Sequence, residues 1–600
     1  MCRIAGIISK HTDPHELSVR VKRMCDSMQH GGPDDEGVYL DAENHVCLGN
    51  RRLAIQDLTS AGHQPMQADN GKVWITFNGE IYNFKQLRAE LKGLGAHFVT
   101  DTDTEVILKA YMQWGLASFG KLKGMFAFAL CDHHIHKTFL VRDPGGIKPL
   151  YYSLQDSSLS FSSEVKAFAW SGLKLQEDEN WKIWLLALGH IPEPYSTYQS
   201  VLSLPKGHYL AYSHQTASAE LCRYFQYTYS SEINDPQAAV KRVQEAISHA
   251  VQQHLISDAE IGVFLSGGID SSIITLLADG MQKERLNTLS IDLQETDYSE
   301  KKYQQLITER TSGRHREFRV GYKDFKDHFG QIIASMDQPS TDGINSWFVS
   351  KCAKENGLKA VLSGLGADEI FGGYPSFQRT GSVTALKKLP KSLLQAAEKN
   401  PAQKYKRLYY LSYDNPLGEY LFSRGVFTPQ VIASILDTDT REIDRLLGNF
   451  PGDDAFSSLS KGNRASWLET NLYMQNQLLK DVDYMSMSHG IEVRVPFLDQ
   501  DLMQLTNSIS PDIKFRGNAS KALLVDAFKF LLPEKTWNRP KMGFSFPFNE
   551  WMNKYEPIAN PERYKNKTSA DLIRRFNEGR LHWSSAFALY HIEEGGRWEG

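Results

Sequence analysis

Two stretches of this chain combine residue types and spacing that can do chemistry, and they lie far apart. The first is Cys2, directly after Met1. Removal of Met1 would leave a cysteine carrying a thiol and a free α-amine, and an N-terminal nucleophile can use its own amine as general base near neutral pH. From position alone, Cys2 also reads as a small residue after the start. The second stretch is Phe264-Leu265-Ser266-Gly267-Gly268-Ile269-Asp270-Ser271-Ser272. Adjacent glycines let the backbone approach an anion, the three serines add donors, and a following helix would present free N–H groups and a favourable dipole. The loop lacks the lysine and spacing of a Walker A motif and the three glycines of a dinucleotide fingerprint. A ligand-free strand-to-helix turn is the plainer reading, against which stand Ser266, Asp270, Ser271 and Ser272 together.

Each stretch needs elements to position it. Ile261 to Leu265 is a short apolar run bounded by polar residues, as in a buried strand, and Ser271 onward predicts a helix ended by Gly280. Upstream, Asp235 suits an N-cap with Pro236 at the first helical position, and Val240, Val243, Ile247, Val251 and Leu255 follow at helical spacing. Leu286 to Asp292 and Ala360 to Gly364 are further strand candidates. In a doubly wound parallel sheet, ligands gather at the carboxyl ends of strands, which brings Leu265, Ile291, Ser363 and Gly364 to one crevice. Leu265 and Ile291 would serve equally well as core.

Around Cys2, Ile4 to Ile8 predicts a strand and His30 to Gly37 a turn-rich loop. Arg51-Arg52-Leu53-Ala54-Ile55 follows, then a strand Val73 to Phe77 ending in Asn78-Gly79-Glu80-Ile81-Tyr82-Asn83. Asn-Gly is also a strong hairpin-turn signal. A helix through Leu87 and Leu91, the segment Thr100 to Glu105, and a strand Gly124 to Leu130 complete the region.

At 600 residues the chain exceeds what one core supports, so two or more domains are expected. A net charge of −4 carries no electrostatic footprint for nucleic acid. Six cysteines without CxxC spacing argue against a zinc ribbon and a disulfide scaffold and fit a reducing cytoplasm. No apolar run reaches the ~18 residues of a membrane span, so a cytoplasmic protein without membrane partners is expected.

The ordered set of an N-terminal Cys, Gly32-Pro33-Asp34-Asp35, Asn78 to Asn83, Thr100 to Glu105 and Gly146 to Tyr152 resembles the glutaminase domain of class II glutamine amidotransferases. That resemblance implies an N-terminal-nucleophile hydrolase αββα sandwich in which Cys2 attacks the amide of glutamine. Asn78 and the Gly79 N–H would form the oxyanion hole. Arg52 would grip the glutamine carboxylate and Asp103 its ammonium, with Leu53, Ala54, Ile55, Gln56 and Glu80 completing the pocket. The Ser266 loop resembles that of the ATP-pyrophosphatase family, and with Gly364 to Tyr374, Ser488 to Asp499 and Arg539 to Phe544 nearly the whole chain resembles glutamine-hydrolysing asparagine synthetases. Implied are ATP bound by Leu265, Ser266, Gly267, Gly268, Asp270, Ser271, Ser272, Ile291, Ser363 and Gly364. Mg²⁺ would be held by Asp270 and Asp368 with phosphate oxygens, although acidic residues at helix starts also serve as caps. Leu365, Asp368, Glu369 and Tyr484 would line an acyl-adenylate site. Domains are expected at 2–211 (glutaminase), 212–235 (connection) and 236–600 (a doubly wound synthetase domain), the partners being small-molecule substrates and a second copy in a homodimer.

The chain departs from that family at several places. Gly31 stands where relatives carry Arg, and Pro144 and Gly145 follow Arg142-Asp143. Leu365 replaces a usual Glu and Tyr484 a usual basic residue, for which Lys480 is a nearby substitute. Aspartate is the expected acceptor, with another carboxylate such as a sugar uronate as alternative. A glutaminase with a regulatory nucleotide-binding domain would need a broken Ser266 loop, and a β-lactam-forming synthetase would normally lack the nucleophile.

Overall fold

The computed structural model describes residues 2–295, 299–400, 403–517, 520–539, 543 and 546–594. Alternating apolar residues build two antiparallel six-stranded sheets in the first half. Strand β1 (Arg3–Ile8) lies inside the first sheet beside β2 (Val46–Arg52), and β3 (Val73–Ile81) pairs with β4 (Gly124–Asp132) in the second. Ile4, Ile8, Leu48, Ala127, Ala129 and Phe161 fill the space between the sheets. Helix α1 (Pro14–Ser27) covers one outer face through Leu17, Val21 and Met24, and α2 (Asp103–Trp114) covers the other through Val106, Ile107 and Ala110. Each such fully buried aliphatic side chain of Val, Leu or Ile size contributes about 1.5–3 kcal/mol. This is the αββα sandwich that the N-terminal motifs imply.

Two local expectations are corrected here. Asn78-Gly79 does not end its strand: β3 runs on to Ile81, with Asn78 opposite Ala127 and Gly79 opposite Phe126. Glycine is required there because a Cβ at Gly79 would lie 2.1 Å from the Met125 carbonyl oxygen. Nor does the sandwich stop at 211, since His208–Ser213 pairs with Ala219–Arg223 in the second sheet. The polar run after Tyr212 is a hairpin tip, and the connection shortens to 224–235.

In the second half, five parallel strands, β5 (Ile261–Phe264), β6 (Asn287–Leu293), β7 (Arg314–Val320), β8 (Ala360–Leu362) and β9 (Glu492–Arg494), run in the spatial order β7-β6-β5-β8-β9. The order reverses between β5 and β8, the switch point where such sheets take ligands. Helix α3 (Pro236–His254) leads into β5, capped by the Asp235 carboxylate, which accepts from Gln237 and Ala238 N–H groups. Helix α4 (Ile269–Gln282) starts earlier than expected and continues past Gly280, because Ile273, Ile274, Leu276 and Ala278 hold its buried face. Helices α5 (Ile344–Glu355) and α6 (Leu479–Met487) flank the switch point, the latter extending a π-helix, Glu469–Leu478.

The halves share their cores. Leu53, Ile55, Tyr82 and Met125 of the first pack in one cluster with Leu265, Val361 and Val493 of the second. Arg3 fills the space beside Gly31, where a Cβ would meet its Cγ at 2.8 Å, and bridges Glu164 at 2.7 Å and Asp483 of α6 at 2.8 Å.

Candidate active sites

Cys2 sits at the start of β1, buried, against β3. Its backbone N–H donates to Asn78 Oδ1 at 3.2 Å, which turns the Asn78 amide so that Nδ2 is a buried donor with no hydrogen-bond partner among the described residues. An unused buried donor is costly unless a ligand takes it, and here it lies on the residue that holds the cysteine. Burial pushes the Cys2 thiol up, opposed by the Leu53 N–H and Arg52. A thiol so placed needs a base, and so needs its own amine.

Of the other residues expected in that pocket, Arg52, Leu53 and Glu80 lie close enough to act on the thiol. Arg52 is buried, with its guanidinium donating to the carbonyls of Thr59 (3.0 Å), Gln56 (3.2 Å) and Asp57 (2.5 Å). Carbonyls carry partial charge only, so the guanidinium keeps most of its field for a carboxylate. Gly62 makes room for it, since a Cβ there would fall 1.9 Å from Arg52 Nη2. Asp103 opens α2, its Oδ2 accepting the Ile81 N–H at 2.9 Å, and burial pushes its carboxyl up to about 6. Ala54 N–H donates to Asp34 at 2.8 Å, fixing the Gly32-to-Asp35 loop. Gln56 and Glu80 face each other, the Gln56 amide donating to the Glu80 carboxylate. The Ile55 carbonyl accepts from Asp258 N–H (3.0 Å) across the junction.

At the switch point opens a cavity of about 1310 Å³. From the β5 and β6 ends it is lined by Leu265, Ser266, Gly268, Asp270, Ser271 and Ile291, and from the β8 end by Ser363, Gly364, Leu365 and Asp368. The two loops touch: a Cβ on Gly364 would lie 2.9 Å from Asp270 Cβ. Ser266 and Ser271 hydroxyls are 3.0 Å apart, and Gly268 N–H donates to Ser266 Oγ at 3.3 Å, which curls the loop ahead of α4. Gly267, at φ +81°, forms the turn itself, where a Cβ would strike Tyr303. Ser272 is buried in the first turn of α4, outside the lining.

The sequence reading missed Lys521. Its ammonium sits between Asp270 (2.5 Å) and Asp368 (2.6 Å), and burial, which works against its charge, is outweighed by the two aspartates, which hold it above the ordinary lysine range. Two carboxylates thus converge on one cation position at the edge of the cavity, a pair that could hold a Mg²⁺ ion together with phosphate oxygens. Nothing in the local sequence around Lys521 marks it. Arg539, by contrast, lies in a motif already singled out; it stacks 3.6 Å over Tyr303 and donates to the Gly267 carbonyl at 3.1 Å. Pro540, Lys541, Met542 and Phe544 of that motif lie outside the described residues.

Three expected acyl-site residues are elsewhere. Tyr484 is buried between the halves, its hydroxyl 2.8 Å from that of Tyr151. Lys480 donates to the Ile191 carbonyl at 3.2 Å. Residues 480 and 484 share one face of α6, so the cavity meets the other face, Asp481 and Val482. Glu369 points into the protein, where Tyr374 donates to it at 2.7 Å and burial pushes its carboxyl up to about 8. Asp342 and Asp481, which line the cavity, were not anticipated.

A sandwich with a buried cysteine at the start of its first strand is thus joined to a parallel sheet with a cavity at its switch point. Comparison with known proteins supplies the family. The glutamine amidotransferase domain model matches residues 1–225 and the asparagine synthase model residues 242–571, and the chain belongs to the asparagine synthase family. It is 30% identical over 569 residues to glutamine-hydrolyzing asparagine synthetase 1 of Bacillus subtilis (strain 168), covering 92% of this chain and 88% of that protein. With asparagine synthetase 3 of the same organism it shares 30% identity over 91% of this chain and 87% of that one. Amidase chry2 of Gibberella zeae is 25% identical over 92% of this chain and 90% of its own length.

Proposed function

We propose that this chain converts aspartate to asparagine, using ATP to activate the carboxylate and glutamine as the source of ammonia. The glutaminase half is assigned to 2–223 and the synthetase half to 236–600. With Met1 removed, the Cys2 amine takes the thiol proton and the thiolate attacks the glutamine amide. Asn78 Nδ2 and the Gly79 N–H stabilise the oxyanion, while Arg52 and Asp103 hold the substrate's carboxylate and ammonium. Collapse gives a thioester and ammonia, and water then releases glutamate.

In the second half the Ser266 loop and the α4 N-terminus hold the phosphates of ATP. Asp270 and Asp368 would hold Mg²⁺, which neutralises charge on the departing pyrophosphate. Lys521, whose ammonium lies between the same two carboxylates, would then pair with phosphate. The acceptor carboxylate attacks the α-phosphate, pyrophosphate leaves, and ammonia displaces AMP from the acyl-adenylate. Ammonia kept inside the protein stays unprotonated and the adenylate stays away from water. A cytoplasmic site of action fits the six free cysteines.

The observation that carries this reading is the joining of both sites through one apolar core, with Leu53 and Ile55 of the glutamine pocket packed in one cluster with Leu265 and Val361 of the nucleotide crevice. One observation favours a second acceptor such as a sugar uronate: the cavity presents Leu365, and both Lys480 and Tyr484 face away from it. Incubation with glutamine, ATP, Mg²⁺ and aspartate separates the two. Equal yields of glutamate, pyrophosphate and asparagine are expected, whereas glutamate without aspartate-dependent pyrophosphate removes aspartate as acceptor and calls for a screen of other carboxylates, a sugar uronate first.

A further inference from the structure

Three buried side-chain donors without a partner among the described residues come from one short stretch near the end of the chain. Thr536 is 1% exposed, and its Oγ1 makes no hydrogen bond. Trp537 Nε1 and Arg539 Nη1 are buried in the same condition, and all three residues line the switch-point cavity. A buried donor left unused is costly unless a ligand takes it. An indole N–H and a guanidinium can only donate, so that ligand must be rich in acceptors.

The stretch is tied to the Ser266 loop. Arg539 stacks 3.6 Å over Tyr303, while its Nη2 donates to the Gly267 carbonyl at 3.1 Å and approaches Glu300 Oε1 at 3.3 Å. Tyr303 also lies against the turn itself, since a Cβ on Gly267 would fall 2.9 Å from its Cβ. The guanidinium is therefore fixed by its flat face and by one nitrogen, and the other nitrogen of the planar fork is unused. Burial pushes the Glu300 carboxyl up to about 7 against the pull of Arg539, so at neutral pH the cation is incompletely matched. Thr536 and Trp537 belong to the short helix Glu534–Trp537, which packs on the helix Lys301–Thr308 that carries Tyr303.

We propose that Thr536, Trp537 and Arg539 form a receptor for the pyrophosphate half of ATP, its β- and γ-phosphates. This rests on the assignment of the cavity to ATP. When the acceptor carboxylate oxygen bonds to the α-phosphorus, the bond from that phosphorus to the bridging oxygen breaks. Its electron pair stays with pyrophosphate, and the bridging oxygen takes up negative charge. Donors already fixed in place meet that charge without reorganising. AMP, the part that stays on the acceptor, needs none of them.

The test is calorimetric titration of the full chain with magnesium pyrophosphate and, separately, with AMP. Arg539→Gln should weaken pyrophosphate binding about 30-fold, and Thr536→Val and Trp537→Phe, which keep shape and lose one donor each, about fivefold. AMP affinity should stay within about twofold of wild type in all three. The two conservative variants decide the matter should Arg539→Gln fail to fold. Pyrophosphate affinity within twofold of wild type in both of them overturns the proposal, and so does an equal weakening of pyrophosphate and AMP, which is what a purely structural role predicts. Wild type separates the two levels: if it binds neither AMP nor pyrophosphate, the assignment of the cavity to ATP falls and takes this proposal with it.

Discussion

The two sites of this molecule are prepared in different ways. Around Cys2, backbone does most of the positioning: Asn78 is fixed by the Cys2 N–H, Asp103 by the Ile81 N–H, and Arg52 by three carbonyls, and an amide donor stands ready in the buried crevice. In the synthetase cavity the charged groups hold one another, with Lys521 between Asp270 and Asp368. The first site is organised before its substrate arrives and pays little reorganisation on reaction. On the proposed reading the second would exchange internal ion pairs for a metal ion and phosphates, so its groups would change partners in the reaction. Variants in the first region should therefore lose rate, and variants in the second should alter ligand requirements.

The largest effect short of removing the nucleophile is expected at Asn78. Asn78→Ala should lower kcat for glutamate release by about 10²–10³, the usual cost of one oxyanion donor, with pyrophosphate formation from ammonium unchanged. A comparable loss in both activities would break the distinction between the sites.

Asp103 sharpens it through pH. The carboxyl must be ionised to hold an ammonium, and burial raises its protonation to about 6 rather than near 4. The KM for glutamine should thus be flat above pH 7 and climb about tenfold per unit below 6. Asp103→Asn should raise KM by roughly 10–150-fold, the value of a charged hydrogen bond of about 1.5–3 kcal/mol, and abolish the acid limb. Folding runs the opposite way: a carboxyl whose pKa is raised in the folded state favours folding at low pH and loses that contribution as pH rises through about 6.

In the second region, Lys521→Gln removes the ammonium that sits between Asp270 and Asp368. Half-saturation by Mg²⁺ should fall while KM for ATP rises about tenfold, a reciprocal change that initial-rate measurements against each ligand would detect. The smallest effect concerns stability alone. Gly280 lies inside α4 with open space where a Cβ would go, so Gly280→Ala should stabilise the protein by about 0.5–1 kcal/mol in urea unfolding without altering either activity.

The first region could be read from the sequence because the groups proposed for it sit in short motifs: Asn78-Gly79 and Thr102-Asp103 each span only a few residues. Their local structure was harder, since Asn-Gly signals a turn and only the approach of β4 reveals that Gly79 is needed inside a strand. Loops of the second region were legible for the same reason, as Asp270 and Asp368 both belong to recognisable turns. What joins them was not. Lys521 reaches Asp270 through tertiary closure across 251 residues, and no spacing rule spans that distance. Nor could the sequence assign the faces of α6, because both are buried and carry polar residues, so hydropathy does not say which of Lys480, Asp481 and Tyr484 meets the cavity.

The measurement that bears most directly on the two-site account is asparagine formation by Cys2→Ala, supplied with aspartate, ATP and Mg²⁺ and given either glutamine or ammonium. The account predicts no asparagine from glutamine, a loss of at least a thousandfold, together with wild-type rates from ammonium. Asparagine formed from glutamine by this variant, or lost with ammonium as well, would contradict it.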